Sequence, residues 1–489
     1  TTLSPTPSGT PREPSRGVFL GDTRPAEDRP GEDAQRDGRA WYKGAEDVVV
    51  TAQSVRGPQP VVTQQPQTTT SEPASGPEAI WPPFVAASIA LALSGGFALG
   101  AGLFVARWLG DGTGRWWIAA SQAHGQVQLL GWIGLMVLGV AFHFLPRLAG
   151  VPLRWPRMAG VALWLIVAGL ALRGITQPLL SAGIGAPMAS LGLVVAAGLL
   201  LAGVTLAVVM LVATIRNAPP RKTGALRQVR PLFLVSFGSL WVGAVLSAYG
   251  LVAAERGAGV VSASLDRIIV EIEFYGFLVP VAAAMTARTF PLYFQTHPPR
   301  ARLLVVPVAG LVCGVVLRAT GDPSLVGVGQ ILHGAALAWL IAALRVFGPR
   351  RPLPRRPARP LRDPLQLHAV SAYAWLAVAG GASLLAGLHQ IGLAVPAVPA
   401  DVEWHALGAG FATLLILGVG SHMLPGFARR ELRSAALPWV TLAAGNLAVV
   451  LRVAAGLTGQ GGAWLGGLAG VLGMLVVALF AVNVHGPRR

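Results

Sequence analysis

One pattern occurs three times in this chain and constrains the fold more than any other feature. His143, Arg288 and His422 are each followed three residues later by a proline, at Pro146, Pro291 and Pro425. Each is preceded twelve residues earlier by a glycine (Gly131, Gly276, Gly410) and followed thirty residues later by an arginine (Arg173, Arg318, Arg452). The copies lie about 140 residues apart in similar apolar surroundings, the signature of an internally repeated membrane protein. Two copies carry a histidine near the other end of the same apolar run, His124 and His405. The third carries Glu271 and Glu273 there instead. That asymmetry is where function is to be sought.

Hydrophobic residues make up 53% of the 489 and charged residues 12%. A soluble domain carries about a quarter charged residues. The apolar residues cluster into runs of roughly 20, long enough to cross a bilayer as helices. Twelve such runs are predicted: 83–107, 122–146, 158–181, 188–215, 232–254, 268–294, 302–319, 325–347, 367–389, 403–426, 436–457 and 463–484. The expected fold is an all-α polytopic membrane protein of twelve transmembrane helices in three pseudo-repeated four-helix arcs. Its units are residues 79–220, 221–348 and 366–489, with an Arg/Pro linker at 349–365 that should not be helical.

The formal net charge of +17 does not point to nucleic acid, because the charge is segregated. Arg147, Arg154 and Arg157 follow the second run, and Arg216, Arg221 and Lys222 follow the fourth. Arg350, Arg355 and Arg362 follow the eighth, and Arg429, Arg430 and Arg433 the tenth. The alternate loops are nearly neutral or acidic, with Asp111, Glu255, Asp322 and Asp401. This positive-inside bias predicts a multi-pass protein of a prokaryotic inner membrane with both termini cytoplasmic. Residues 1–78, rich in Pro, Thr and charge, read as a cytoplasmic tail, disordered or partly ordered, available to a cytoplasmic partner. Cys313, the only cysteine, excludes disulfides and is expected to serve as packing.

An ionisable residue inside a membrane helix is costly and marks a candidate site. Two neutral imidazoles presented from opposite sides are the axial ligands of a six-coordinate haem, and His124 and His405 are placed to supply them. Gly131 and Gly410 leave room for a flat macrocycle or for close helix contact. Arg173 and Arg452 would be available to haem propionates. The alternative is that both histidines only hydrogen-bond between helices. Glu271 and Glu273 leave proton relay, metal ligation and an ion pair with Arg173 or Arg318 open. A second metal site is conceivable from Glu271, Glu273, His333 and His389. His143 and His422 read as polar helix ends that cap or snorkel.

The tenth run has His405, a Gly/Ala-rich span, Gly-Val-Gly and then His422-Met-Leu-Pro425. The second has His124-Gly-Gln-Val-Gln-Leu-Leu-Gly-Trp and later Phe-Leu-Pro146. These stretches resemble the catalytic subunit of haem–copper oxidases and nitric oxide reductases. The resemblance implies that His124 and His405 ligate the iron of a low-spin haem b. It departs from the family at the second centre. Glu403 stands where a second helix-ten histidine belongs, and Glu271, Glu273 and Tyr275 replace the copper-binding histidine, so copper is not supported by ligands. The His405-Ala-Leu-Gly-Ala-Gly410 start is similar to the NnrS family, haem- and copper-containing membrane proteins linked to nitric oxide tolerance. The leading expectation is a b-type cytochrome that exchanges electrons with a redox partner protein or quinol, or handles nitric oxide through its haem. A divergent oxygen or nitric oxide reductase with a non-standard second centre, and a cofactor-free scaffold or transporter, are the alternatives.

Overall fold

The computed structural model describes residues 79–112, 114–219, 224–257, 259–352 and 363–487. The N-terminal tail 1–78, Arg221, Lys222 and most of the Arg/Pro linker, 353–362, lie outside the described residues. Among the described residues, twelve helices are long and apolar enough to cross a membrane. They are α1 Trp81–Trp108, α2 Arg115–Ala149, α3 Met158–Ser181, α4 Ala186–Arg216, α5 Leu226–Arg256 and α6 Ala263–Tyr293. The remainder are α7 Arg302–Ala319, α8 Pro323–Leu344, α9 Pro364–Gln390, α10 Ala400–Ala428, α11 Leu437–Thr458 and α12 Ala463–Val484.

Ends differ from expectation most at α2, which starts at Arg115 rather than 122. Its first turns, Arg-Trp-Trp-Ile-Ala-Ala-Ser, mix polar and apolar residues and break the apolar run without breaking the helix. α9 starts at Pro364, where proline's fixed φ suits a first helical position. The Asp363 carboxylate caps it by accepting from the Leu365 amide.

The outer helices pack in chain order, α3 on α4, α4 on α5, α7 on α8, α8 on α9 and α11 on α12, and α12 packs back on α1. α2, α6 and α10 are the interior. They are 72%, 78% and 61% buried along their most apolar stretch, against at most 50% for every other helix. Bulky apolar side chains such as Trp164, Met188 and Val471 face outward, as hydrocarbon surroundings permit. Cys313 is exposed on α7, so the expectation that it packs internally is not met.

Each interior helix contains one π-helical stretch: Val127–Gly134, Ile272–Leu278 and Ala406–Thr413. Each stretch includes its repeat glycine. π-bulges widen a helix locally and re-aim the side chains beside them. Gly410 faces α9 so closely that an added Cβ would lie 2.6 Å from Trp375 Cβ, and one on Gly131 would meet Leu91 and Leu170 at 3.2 Å. Both glycines serve close helix contact. If successive spans alternate in direction, the ends of α2, α4, α8 and α10, at or just before Arg147, Arg216, Arg350 and Arg429, fall on one side, here termed the basic face.

Candidate functional site

Counted from the repeat glycines, the residue five before is Gln126, Glu271 or His405, and the residue seven before is His124, Ile269 or Glu403. The fold pairs these positions between the interior helices, α10 with α2, α6 with α10 and α2 with α6. His405 and His124 are close enough to interact electrostatically. Glu271 and Glu403 share one arginine, Arg318. Gln126 and Ile269 line one small cavity. The three repeat arginines attend these pairs in turn. Arg452 binds Asp401 of α10, Arg318 binds Glu271 of α6, and Arg173 binds Gln126 of α2. His124 and His405 are therefore the two sides of one interface rather than the same position in two copies.

At that interface the imidazoles are fixed in a defined tautomer. His124 Nδ1 lies 3.0 Å from the carbonyl oxygen of Gly96. A carbonyl only accepts, so Nδ1 carries the proton. Gly96 is available because α1 is locally π-helical there and Gly96 itself departs from helical geometry (φ −82°, ψ −105°). One turn along α1, an added Cβ on Gly100 would lie 2.8 Å from His124 Cε1, so glycine leaves the ring its place. His405 Nδ1 lies 2.8 Å from the Asp401 carbonyl oxygen and 3.2 Å from its Oδ1. Asp401 is held by both terminal nitrogens of Arg452 at 2.8 and 2.6 Å, in the bidentate geometry that favours arginine. The Arg452 guanidinium lies over the Phe104 ring, 4.6 Å from its centroid. Neither Nε2 has a partner among the described residues, so both rings present an uncommitted lone pair.

The second interface is a buried ionic cluster. Arg318 forms an ion pair with Glu271 (Nη2 to Oε1, 2.8 Å) and donates to Glu403 Oε1 at 3.1 Å and to His333 Nδ1 at 3.1 Å. The Tyr275 hydroxyl donates to the same Glu403 oxygen. The Tyr275 ring stacks on His333 with centroids 3.8 Å apart. His333 Nε2 donates to the Leu311 carbonyl at 3.0 Å, so both its nitrogens are committed. All five side chains are buried. Two carboxylates around one guanidinium satisfy the charge that burial would otherwise make costly.

The third interface is an amide network. Arg173 donates to Gln126 and, at 2.8 Å, to Gln177; Gln177 donates to Gln122 at 2.9 Å; Gln126 donates to Ser247 at 2.5 Å. Glu273 and Asp266 line the cavity beside it.

The structure thus brings together His124, His405 and Arg452, and places Arg173 elsewhere. It does not bring Glu271, Glu273, His333 and His389 into one metal site. Glu271 and His333 sit on Arg318, Glu273 faces the Arg173 cavity, and His389 is exposed at the end of α9, bonded to Val395. No group of three or more His, Cys, Asp or Glu placed to hold a metal ion occurs among the described residues. His143 packs on Phe427 of α10 at 4.1 Å between centroids and His422 on Tyr293 of α6 at 4.3 Å, so each joins two interior helices. Sequence reasoning missed Gly96, Gln126 and the role of Asp401. Gln126 carried a signal, the same offset from a repeat glycine as Glu271 and His405; Gly96 carried none.

No protein family matches the sequence, and no curated protein matches it. Among solved structures the chain is similar to a heme-copper terminal oxidase dimer determined by cryo-EM, at 10% identity and a TM-score of 0.44, covering 85% of each chain.

Proposed function

We propose that the chain is a membrane b-type cytochrome holding one low-spin haem between its third and first repeats through His124 and His405. The supporting observation is the state of the two imidazoles. Each is held through Nδ1 by a fixed acceptor and each leaves Nε2 without a partner, the arrangement that orients a metal-ligating histidine. Such a group supplies one-electron chemistry when bound.

The chain's own residues have definable parts. The Gly96 carbonyl fixes the His124 ring, and Asp401 fixes the His405 ring. Arg452 immobilises Asp401 and places a positive charge beside both histidines, where an anionic propionate would be favoured. Ligation by both histidines would leave a haem iron no open position. The role is therefore electron transfer with a redox partner protein or quinol. Nitric oxide handling enters only through the sequence resemblance to the NnrS and haem–copper oxidase type. The divergent-reductase reading is disfavoured, because the second interface commits its carboxylates and imidazole to Arg318. We place the chain in a prokaryotic inner membrane with the basic face cytoplasmic, on the arginine bias.

The test is haem content of the detergent-purified protein by pyridine haemochrome. The expected result is one haem per chain, abolished by His124→Ala and by His405→Ala. Full haem content in either variant overturns the reading.

A further inference from the structure

The basic-face halves of α2, α6 and α10 surround a cavity of about 110 Å³. Its lining repeats with the sequence. Positions 2, 5, 6, 9, 10 and 14 after Gly131, Gly276 and Gly410 all contribute, joined by Phe233 of α5. The cavity therefore lies along the line enclosed by the three interior helices, here termed the axis. It exists because small residues recur on the axis-facing side, Ala141, Ala282, Thr286, Ala412 and Gly420.

The wall offers little to a polar guest. Of its two hydroxyls, Thr286 accepts from the Tyr373 hydroxyl at 2.8 Å and Thr289 donates to the Met285 carbonyl at 2.9 Å. A water needs two to four polar partners and does not find them here. The cavity is partly open rather than enclosed, and Ile133, Leu278 and Ala412 at mid-helix and Leu145, Phe290 and Leu424 towards the basic face are buried parts of its wall. A molecule of a few atoms needs only side-chain motion, which Met136, Met285 and Met423 in the wall permit.

We infer that this axial cavity is a binding site for a small, uncharged apolar molecule of the size of xenon or a diatomic gas. Cavities of about 150 Å³ lined by Leu, Ile and Phe stay dry and take xenon or benzene, and this one is of that order. A hydrocarbon phase surrounds the helices and concentrates such molecules relative to water. The site requires no haem, so it stands or falls separately from the cytochrome reading.

The experiment is anomalous scattering from xenon-pressurised crystals of the full chain. The expected result is a xenon peak on the axis between Val140, Met285 and Val419, lost in Ala282→Phe and in the milder Ala141→Leu. No peak in the wild-type crystals overturns the inference. So does a peak retained in both variants, or continuous acyl-chain density along the axis.

Discussion

Towards the basic face, α2, α6 and α10 present the same positions to one apolar cavity, with residues that could be exchanged among the three helices without changing its chemistry. Towards the opposite face, the same helices present a histidine pair, a carboxylate pair and a Gln/Ile pair at corresponding positions. Repetition governs the half that holds the helices together, and divergence governs the half that carries charge. The difference shows how one scaffold supports unlike sites. The side chains at each interface differ, while the glycine, the proline and the arginine that frame it recur.

The comparison can be broken at its most buried point. Arg318→Ala leaves Glu271 and Glu403 without their shared counter-ion and should cost about 3–5 kcal/mol of stability in thermal unfolding in detergent. The same change combined with Glu271→Gln and Glu403→Gln should recover most of that loss. If Arg318→Ala alone is neutral, the cluster is not the buried ionic unit described here. At the histidine interface a smaller effect is expected. Asp401→Asn weakens the hold on His405 and should lower haem affinity about tenfold to a hundredfold while leaving the low-spin spectrum intact. An unchanged haem titration would remove Asp401 from the site.

The packing half should respond by sterics rather than charge. Gly410→Ala forces a Cβ to within 2.6 Å of Trp375 Cβ unless α9 and α10 part. A cost of about 1–3 kcal/mol is expected from such overpacking, read as a lowered Tm. The smallest effect is expected at the junction of the two halves. There the Trp132 indole nitrogen donates to Thr413 Oγ1 at 3.2 Å, linking α2 to α10. Thr413→Val should cost about 1 kcal/mol, and a larger loss would mean that this bond sets the spacing of the histidine pair.

Much of this was legible in the sequence. Twelve apolar runs and the offsets from Gly131, Gly276 and Gly410 require only counting, and the asymmetry of His124, Glu271 and His405 stood out against that count. The pairing of positions was not legible. Joining position five before one glycine to position seven before the next depends on how the interior helices stagger, and π-helical stretches at Val127–Gly134, Ile272–Leu278 and Ala406–Thr413 alter that stagger locally. The sequence allows Glu273, His333 and His389 a shared metal site with Glu271. Each instead faces a different neighbour, and Arg318 reaches Glu403 across 85 residues of chain. Arg173 matched Arg452 by offset alone, yet Gln126 gives it an uncharged partner where Arg452 has Asp401.

The central claim is that the interface between the third and first repeats, alone of the three, is built to ligate a haem. A reduced-minus-oxidised absorption spectrum of the purified chain tests it most directly. The account predicts a single low-spin haem, unaffected by Glu271→Gln or Glu403→Gln and abolished by His124→Ala or His405→Ala. A colourless wild-type protein reconstituted with excess haem, or a haem that survives loss of either histidine, would contradict it.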